Sequence, residues 1–233
     1  MVNYKFFSKT IFFPEKGILA VGDLHLGYEQ MLLEQGMVLP FNQLETTQEE
    51  LEKIIQQIGK DKIKKIVLLG DIKHNFSFEK GEMYHVRHLL RFLESYVPAE
   101  NIILIRGNHD QVRLYNREYY DVYVEDGIAF THGHKDFPEI HDKKIKLIVM
   151  SHIHPAVVIK DNSNIKREKF KCFLVGKWNK KQTIIVPSFF PMIEGSEINE
   201  SQFGIIPSKE LQKFKTFIVG ENRVYEFGVY GGI

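Results

Sequence analysis

The first half of the chain repeats one pattern three times: four apolar residues, then a loop that carries a glycine and a polar side chain. The apolar runs are residues 18–21, 66–69 and 102–105, and they lead into Asp23, Asp71 and Asn108. Two segments with apolar side chains at helical spacing separate the runs, at residues 44–58 and 82–96. Strands that alternate with helices pair in parallel, because each helix returns the chain to the same end of the sheet. The pattern predicts a βαβαβ unit with helices on the faces of a parallel sheet.

The second half of the chain changes to short apolar segments with few helical intervals. These segments are residues 127–131, 146–150, 170–175, 183–186, 214–219 and 224–227. A series of strands after a βαβαβ unit favours a second sheet that packs on the first. We expect an α/β fold of the α+β sandwich kind, in which two mixed β-sheets pack face to face with helices on the outer faces. Because no repeat or Gly/Ser linker divides the sequence, we expect one domain over residues 1–233.

Charge and cysteine content restrict the classes of function. The chain has 31 Lys and Arg against 30 Asp and Glu, without the basic excess of a strongly electrostatic nucleic-acid binder. This balance is compatible with a nuclease that contacts only a few phosphates. One cysteine, Cys172, allows no internal disulfide, and the sequence shows neither a signal core nor an apolar run of about 18 residues. These features predict a cytoplasmic protein that does not associate with membranes.

Histidine, aspartate and asparagine are concentrated where the apolar runs end. In chain order the motifs are Asp23-Leu24-His25, Gly70-Asp71, Gly107-Asn108-His109-Asp110, Thr131-His132-Gly133-His134 and Ser151-His152-Ile153-His154. In open α/β sheets, ligands bind beyond the carboxyl ends of the strands. Core packing alone does not place a polar group at the end of each apolar run. The motifs therefore mark a functional site.

The side-chain types of these motifs indicate a metal site. Carboxylate, imidazole and amide ligands favour borderline divalent ions such as Mn²⁺, Fe²⁺ or Zn²⁺ over a thiolate-bound structural zinc. A carboxylate can bridge two such ions about 3.5–4 Å apart, and the pair acidifies a shared water and clamps the oxygens of a phosphoryl group. An aspartate that follows a glycine at a strand end, as Asp71 does, has room for a bridging position.

The ordered motifs, from Asp23 to Pro155, resemble those of the calcineurin-like metallophosphoesterase superfamily. The resemblance implies two divalent metal ions, for which Mn²⁺ is expected and Fe, Zn or Ni are alternatives. It implies that Asp71 bridges both ions, while the other ligands are Asp23, His25 and His154 for one ion and Asn108, His132 and His152 for the second. His109 resembles the catalytic histidine of the family, which stays off the metals and either stabilises the transition state or protonates the leaving oxygen, and Asp110 is expected to orient it.

Two positions depart from the usual motifs of the family. Ser151 stands where a glycine usually precedes the His-x-His pair, and little harm is expected from so small a side chain. His74 stands where many phosphatases of the superfamily carry an aspartate, three residues after Asp71. This histidine and residues 23–28 resemble the SbcD-related, ICC-like single-domain phosphoesterases, a similarity that extends through residues 187–199. We therefore place His74 at the site as a catalytic residue, with a surface loop as the alternative.

Several other residues near the motifs have two interpretations. Arg106 and Lys73 either neutralise a phosphate or pair with a carboxylate. Phe76 and Phe78 either stack on a base or, as we prefer, pack in the core or a lid. Cys172 is expected to be a small buried hydrophobe. Residues 187–191 are expected to form an irregular loop that either borders the site or makes a dimer contact.

These features together predict a two-metal phosphodiesterase or nuclease, which hydrolyses diesters of nucleic acids or nucleotides by attack of a hydroxide that bridges the metals. The expected substrate is a phosphodiester, with DNA and RNA as candidates, and a homodimer is compatible with the sequence. A phosphomonoesterase acting on a nucleotide or a phosphoprotein is the first alternative, because the same metal core serves both reactions. A scaffold without catalysis is the second, and the presence of every expected ligand argues against it.

Overall fold

Two β-sheets form the framework of the computed structural model, which describes residues 2–38, 40, 42–76, 80–110, 117–160, 166–197 and 204–232. The strands are β1 (Lys5–Phe7), β2 (Thr10–Phe13), β3 (Ile18–Val21), β4 (Lys65–Leu68), β5 (Ile102–Ile105), β6 (Tyr119–Tyr120), β7 (Val122–Glu125), β8 (Ile128–Thr131), β9 (Leu147–Met150), β10 (Ala156–Lys160), β11 (Arg167–Trp178), β12 (Lys181–Ile185), β13 (Lys215–Val219) and β14 (Val224–Val229). The α-helices of the described residues are α1 (Tyr28–Glu34), α2 (Gln43–Ile58), α3 (Lys80–Glu94) and α4 (Ser208–Leu211). None of these helices is long and apolar enough to cross a bilayer.

The first sheet has the order β1-β2-β3-β4-β5-β6. Strands β3, β4 and β5 are parallel neighbours, with Val21 opposite Leu68 and Leu68 opposite Leu104. The β1-β2-β3 connections are antiparallel, which makes the sheet mixed. The register brings the loops that follow β3, β4 and β5 to one edge of the sheet, as the βαβαβ pattern predicts.

The second sheet has the order β14-β13-β11-β12-β9-β8-β7, with β10 paired only to β11. Its central strands β8, β9 and β12 are parallel, and the flanking pairs are antiparallel. The loops after β8 and β9 therefore leave the sheet in the same direction. These two loops carry the histidine motifs of the second half of the chain.

The core lies between the sheets and beneath the helices. In β4, Ile66 and Leu68 face the apolar sides of α2 and α3, while Val67 faces the second sheet, because successive side chains of a strand point to opposite faces. The predicted α/β sandwich of two mixed sheets is confirmed. The outer face of the second sheet is covered by the short α4, a 3-10 turn at Pro138–His141 and loops, so the long helices lie on one side only.

The structure also contains elements that the apolar pattern does not predict. These are the β1-β2 hairpin, α1, the short β6 and β7, and β10. The burial of β7 and β10 is partial and irregular along the strand, which weakens the two-residue apolar alternation of a strand. Helix α2 begins one residue before the predicted start, because the Asn42 side chain caps it by accepting a 3.1 Å hydrogen bond from the Glu45 N–H.

Candidate metal centre

The motif loops of both sheets meet at one edge of the sandwich. The His152 N–H donates to the Asp23 carboxylate at 3.2 Å, which joins the loop after β9 to the loop after β3. The Nε2 atom of His132 lies 3.3 Å from Oδ2 of Asp71, which joins the loop after β8 to the loop after β4. The Asn108 amide oxygen, 3.2 Å from Nε2 of His132, adds the loop after β5, so five separate segments of the sequence meet in one cluster of side chains.

Two sets of side chains in this cluster have the spacing that a metal ion needs, and both contain Asp71. The ligand atoms of each set all lie within 4.8 Å of one another; the sets are Asp23, His25, Asp71 and His154, and Asp71, His132 and His152. The amide oxygen of Asn108 lies 3.2 Å from Nε2 of His132, next to the second set. The structure thus brings together all seven side chains that the resemblance implies as metal ligands, with Asp71 between the two sets.

A third set consists of His25, His74 and His109, with ligand atoms also within 4.8 Å. The Nδ1 atoms of His74 and His25 are 3.4 Å apart, and the His74 ring stacks on that of His109 at 5.5 Å between centroids. The structure therefore places His74 at the site and not on a remote surface loop.

The backbone at this cluster is held in a conformation that residues other than glycine rarely adopt. The φ angles are positive at Asp23, His25, Asp71, His152 and His154, at 56°, 46°, 46°, 70° and 50°. Each such residue costs on the order of 1–3 kcal/mol, and this strain persists only where the surrounding fold imposes it. Five of the seven candidate ligands share this strain, which is typical of a functional site.

Two buried ring nitrogens support the presence of a cation. The Nε2 atoms of His25 and His154 are buried and make no well-aligned hydrogen bond among the described residues, although they lie 3.8 Å from Oδ2 of Asp71 and 3.4 Å from Oδ1 of Asp23, respectively. A buried nitrogen without a partner costs about 1–3 kcal/mol, and coordination to a metal ion would satisfy it. Burial lowers the pKa of His25 to about 3, so its ring is neutral and has a lone pair available for a metal.

The electrostatics of the second set also favour positive charge. Burial lowers the pKa of His132, but the hydrogen bond and charge of Asp71 and the charge of Asp23 outweigh it and raise that pKa to about 9. Burial raises the pKa of Asp71, but the hydrogen bond and charge of His132 outweigh burial. The pKa of this carboxyl therefore lies well below its usual range. The donor set and its charge fit a pair of divalent cations.

The orientation of His132 is fixed from behind by the loop after β4. Its Nδ1 donates to the Leu69 carbonyl at 2.8 Å, which places the proton on Nδ1 and turns Nε2 toward the site. The Ser151 hydroxyl donates to the same carbonyl at 2.7 Å and lies 3.0 Å from Nδ1. Ser151, a departure from the family motif, thus lies where it supports the candidate ligand His132. The loop after β3 packs closely against it, since a Cβ on Gly22 would lie only 2.5 Å from the Ser151 Cβ.

His109 lies beside the two sets with its ring held on both sides. Its Nδ1 donates to the His74 carbonyl, so the other ring nitrogen, Nε2, faces the site, 3.9 Å from Oδ2 of Asp71. Its backbone N–H donates to Oδ1 of Asp71 at 3.0 Å. The ring of Phe76, 52% exposed, stacks on His109 at 4.2 Å. Phe78 lies outside the described residues.

Asp110 acts on the loops and not directly on the His109 ring. Its buried carboxylate accepts hydrogen bonds from the backbone N–H groups of Ile72, Lys73 and Gly107 at 3.0–3.3 Å. Burial and the charge of Asp71 raise the pKa of Asp110 to about 6. The expectation that this carboxylate orients the ring is thus replaced by an indirect role, in which it ties the loop after β4 to the loop after β5.

Sequence reasoning missed Glu82, which supports the His74 loop from helix α3. Its Oε1 accepts from the backbone N–H groups of His74 at 2.7 Å and Asn75 at 2.6 Å. Its Oε2 lies 3.8 Å from Nζ of Lys73, and both side chains are fully buried. A Cβ on Gly27 would approach the Glu82 side chain to 2.7 Å, so a glycine is required there. An acidic residue in the first turn of a helix is common, and its sequence position alone gives no signal of this role.

Replacement of Glu82 by alanine is expected to destabilise the protein by about 3–5 kcal/mol, because it removes the carboxylate that faces the buried Lys73 ammonium. The free energy of unfolding from urea titration measures the effect. A double variant, Lys73→Met with Glu82→Gln, removes both charges, keeps an oxygen for the backbone N–H groups and is expected to recover most of the loss. A Glu82→Ala variant as stable as the wild type would contradict this role.

The remaining ambiguous residues take definite positions. Arg106 pairs with the carboxylate of Asp121 at 3.6 Å, the second of the two interpretations of this residue. Cys172 is buried, and burial raises the pKa of its thiol, as expected of a small hydrophobe. The stretch of residues 187–191 borders the site, because the Phe190 N–H donates to the Asp23 carbonyl at 3.2 Å.

Comparison with known proteins agrees with this site. The sequence matches the family model described as calcineurin-like phosphoesterase over residues 17–205. No curated protein matches it. Among solved structures, the chain is similar to the nuclease MPE of Pseudomonas putida, at 18% identity and a TM-score of 0.64, with 94% of this chain and 92% of that chain covered.

Two further solved structures are similar at lower scores. A mutant of Vps29 from Entamoeba histolytica has 11% identity and a TM-score of 0.41, with 91% of this chain and 97% of that chain covered. A conserved Streptococcus pneumoniae protein, described as a predicted phosphoesterase, has 14% identity and a TM-score of 0.36, with 91% and 96% covered. The family match spans most of the sequence and includes every candidate ligand. The chain belongs to the calcineurin-like phosphoesterase family, whose members are metal-dependent hydrolases.

Proposed function

We propose that the protein is a two-metal phosphodiesterase that cleaves nucleic acids or nucleotide-like diesters, with Mn²⁺ as its preferred ion. One observation carries the proposal: Asp71 belongs to two adjacent ligand sets. The Nε2 atom of His109 lies 3.9 Å from Oδ2 of Asp71, and His109 belongs to neither of these two sets. This arrangement has a place for two cations, a phosphoryl group and a proton donor. We further propose that residues 1–233 form one catalytic domain.

The proposed ligands of one ion are Asp23, His25, Asp71 and His154, and those of the second are Asp71, Asn108, His132 and His152. Two divalent ions in these positions supply Lewis-acid stabilisation of the phosphoryl oxygens and acidify water. The residues of the chain do the remaining work. With a proton on both ring nitrogens, His109 gives the Nε2 proton to the leaving oxygen and keeps the Nδ1 proton, which it donates to the His74 carbonyl and which holds the ring in place. Asp110 holds the loops that carry Asp71 and Asn108 at a fixed separation.

A diester is preferred over a monoester because of His74. At this position many phosphatases of the superfamily carry an aspartate, whereas the histidine matches the SbcD-related phosphoesterases that the motif resembles, and its imidazole offers a hydrogen bond to a phosphate oxygen. The neighbouring rings of Tyr28 and Phe76 leave an aromatic rim that suits an organic group on the second ester oxygen. The similarity of fold to a structure named as a nuclease supports the same choice.

The test compares metal-stripped and Mn²⁺-reloaded protein on bis(p-nitrophenyl) phosphate and p-nitrophenyl phosphate. We expect hydrolysis to require the ion and to favour the diester, and a His74→Asp variant to shift the ratio toward the monoester. Preference of the wild type for the monoester would replace the proposal with a phosphomonoesterase. Absence of turnover on both compounds, together with no bound ion in a metal analysis, would support a catalytically silent scaffold.

A further inference from the structure

A hairpin outside the main order of the second sheet carries a row of positive charge. Strand β10 pairs only with the first part of β11, with Val158 opposite Lys169 and Lys160 opposite Arg167. Residues directly opposite each other in an antiparallel pair point to the same face. Lys160, Arg167 and Lys169 therefore share one face of this hairpin, and all three are exposed. We call the surface of residues 156–160 and 167–171 the basic arm.

The two faces of the basic arm differ in character. Val157 and Phe170 lie on the opposite face and pack against the core of the second sheet. The charged face lines an open groove of about 410 Å³, formed by Val158, the three cations and Glu197. The arm is thus anchored by its apolar face and presents its cations to solvent.

The cations of the groove are not neutralised by ion pairs in the described part of the chain. No salt bridge there involves Lys160, Arg167 or Lys169, and Lys169 donates only to the Gly195 carbonyl, at 3.3 Å. Glu168 pairs with Lys166 at 2.6 Å, but its position in the register directs it to the other face. Glu197 is the acidic neighbour in the groove. In a chain of net charge +1, this concentration of cations is local.

The basic arm begins two residues after His154, a candidate ligand of the metal centre. The candidate ligand His154 accepts at its carbonyl from the Ser196 N–H at 2.8 Å, and the Ala156 N–H donates to the Ser196 carbonyl at 3.1 Å. Ala156 is opposite Lys171, whose ammonium donates to the Ser188 and Phe190 carbonyls beside the site. Strand β10 begins at Ala156, two residues after His154, and at about 3.3 Å per strand residue Lys160 lies about 13 Å further along it.

We propose that the basic arm binds the backbone phosphates of a polynucleotide strand whose scissile phosphate lies at the metal centre. This inference rests on the proposed phosphodiesterase function and narrows its substrate class. Phosphates follow one another at about 3.4 Å of axial rise in a stacked helical strand, so a cation about 13 Å beyond Ala156 lies several nucleotides from the reacting group. A mononucleotide or a small phosphomonoester cannot span that distance. The arm therefore favours polynucleotides over small nucleotides as the substrate class.

The test measures how binding of a single-stranded DNA of about twelve nucleotides depends on salt, by fluorescence anisotropy with cleavage blocked by chelation. The variant Lys160→Gln, Arg167→Gln, Lys169→Gln removes three cations from the arm. Each phosphate contact contributes about 0.7 to the slope of log K against log salt for a single strand, so the slope is expected to fall by about 2. Affinity at 0.1 M salt is expected to fall by roughly a hundredfold. A control variant changes Lys143, Lys144 and Lys146, which are exposed and belong to a different loop, to Gln.

A reduced slope in the arm variant alone, with hydrolysis of the small diester unchanged, would establish the arm as a phosphate-binding surface. An unchanged slope, or an equal loss in the control variant, would overturn it. The two proposals fail separately. Wild-type protein that hydrolyses the small diester while the slope is unchanged refutes the arm alone. Wild-type protein that lacks diester activity but shows the slope difference refutes the phosphodiesterase proposal and leaves the arm as a binding surface.

Discussion

Asp71→Ala is expected to abolish phosphoester hydrolysis with every divalent ion, by on the order of a thousandfold or more. The carboxylate is shared by both candidate ligand sets, so its loss weakens the binding of two ions at once. Each tenfold loss of rate corresponds to about 1.4 kcal/mol, and a bound metal contributes several kcal/mol to transition-state stabilisation. The kinetic measurement is kcat/KM on the diester, and metal analysis of the purified variant counts the ions that remain.

The control for this prediction is Asp61→Ala, which removes an aspartate from an exposed 3-10 turn. We expect wild-type activity and metal content from it. Circular dichroism and Tm of both variants separate a lost ligand from an unfolded chain. Full turnover by Asp71→Ala, or retention of both ions, would show that Asp71 does not bridge the metals.

Gly107→Ala is expected to damage the site almost as severely, although the side chain gained is one methyl group. A Cβ at this position would lie 2.1 Å from Oδ1 of Asp71 and 2.2 Å from its backbone nitrogen. Neither atom can move without displacing the bridging carboxylate or the loop after β4. Overpacking of this kind costs about 1–3 kcal/mol of stability, and a displacement of about 1 Å at a reacting centre can cost about a hundredfold in rate. Urea unfolding and diester kinetics measure the two effects.

A matched glycine in the same chain makes this prediction specific. Gly81 lies in the first turn of α3, and the nearest described atoms to a Cβ there belong to the Gln30 side chain, at 3.7 Å. Gly81→Ala is expected to leave activity unchanged and to stabilise the protein by about 0.5–1 kcal/mol, since alanine loses less conformational entropy in a helix. If Gly107→Ala behaves like Gly81→Ala, the close approach to Asp71 has no functional meaning.

The strain at the candidate ligands gives these predictions a common basis. Positive φ angles at Asp23, Asp71 and His152 turn the chain sharply as it leaves each strand, and the carboxylates and imidazoles are aimed inward by that turn. The two sheets hold the strand ends apart, while the hydrogen bonds of Asp110 and Glu82 hold the loops. The stability of the fold and the positions of the candidate ligands therefore depend on the same hydrogen bonds of Asp110 and Glu82.

The sequence by itself determined that three buried strands form a parallel βαβαβ unit, and its motifs indicated the family. Apolar runs such as residues 18–21 and 102–105 are continuous because their strands are buried on both faces, so their pattern is unambiguous. The motifs at their ends are local in sequence, and the structure brings their side chains to one edge as a parallel sheet requires. Partly exposed elements such as β10 and α1 escaped prediction, because half-polar segments lack a clear period.

Only the tertiary structure decided how the residues around the ligands are used. Lys73 could face a phosphate or a carboxylate by sequence; in the structure its buried ammonium donates to the Asn75 carbonyl and lies 3.8 Å from the carboxylate of Glu82, nine residues away. Asp110 was expected at the His109 ring and is used instead by three backbone N–H groups from two loops. The cations of the basic arm are separated by up to nine positions in sequence and become neighbours through strand register. Hydrogen-bond partners and charge neighbours depend on distances across separate segments, and a linear pattern carries information only about residues that share one element.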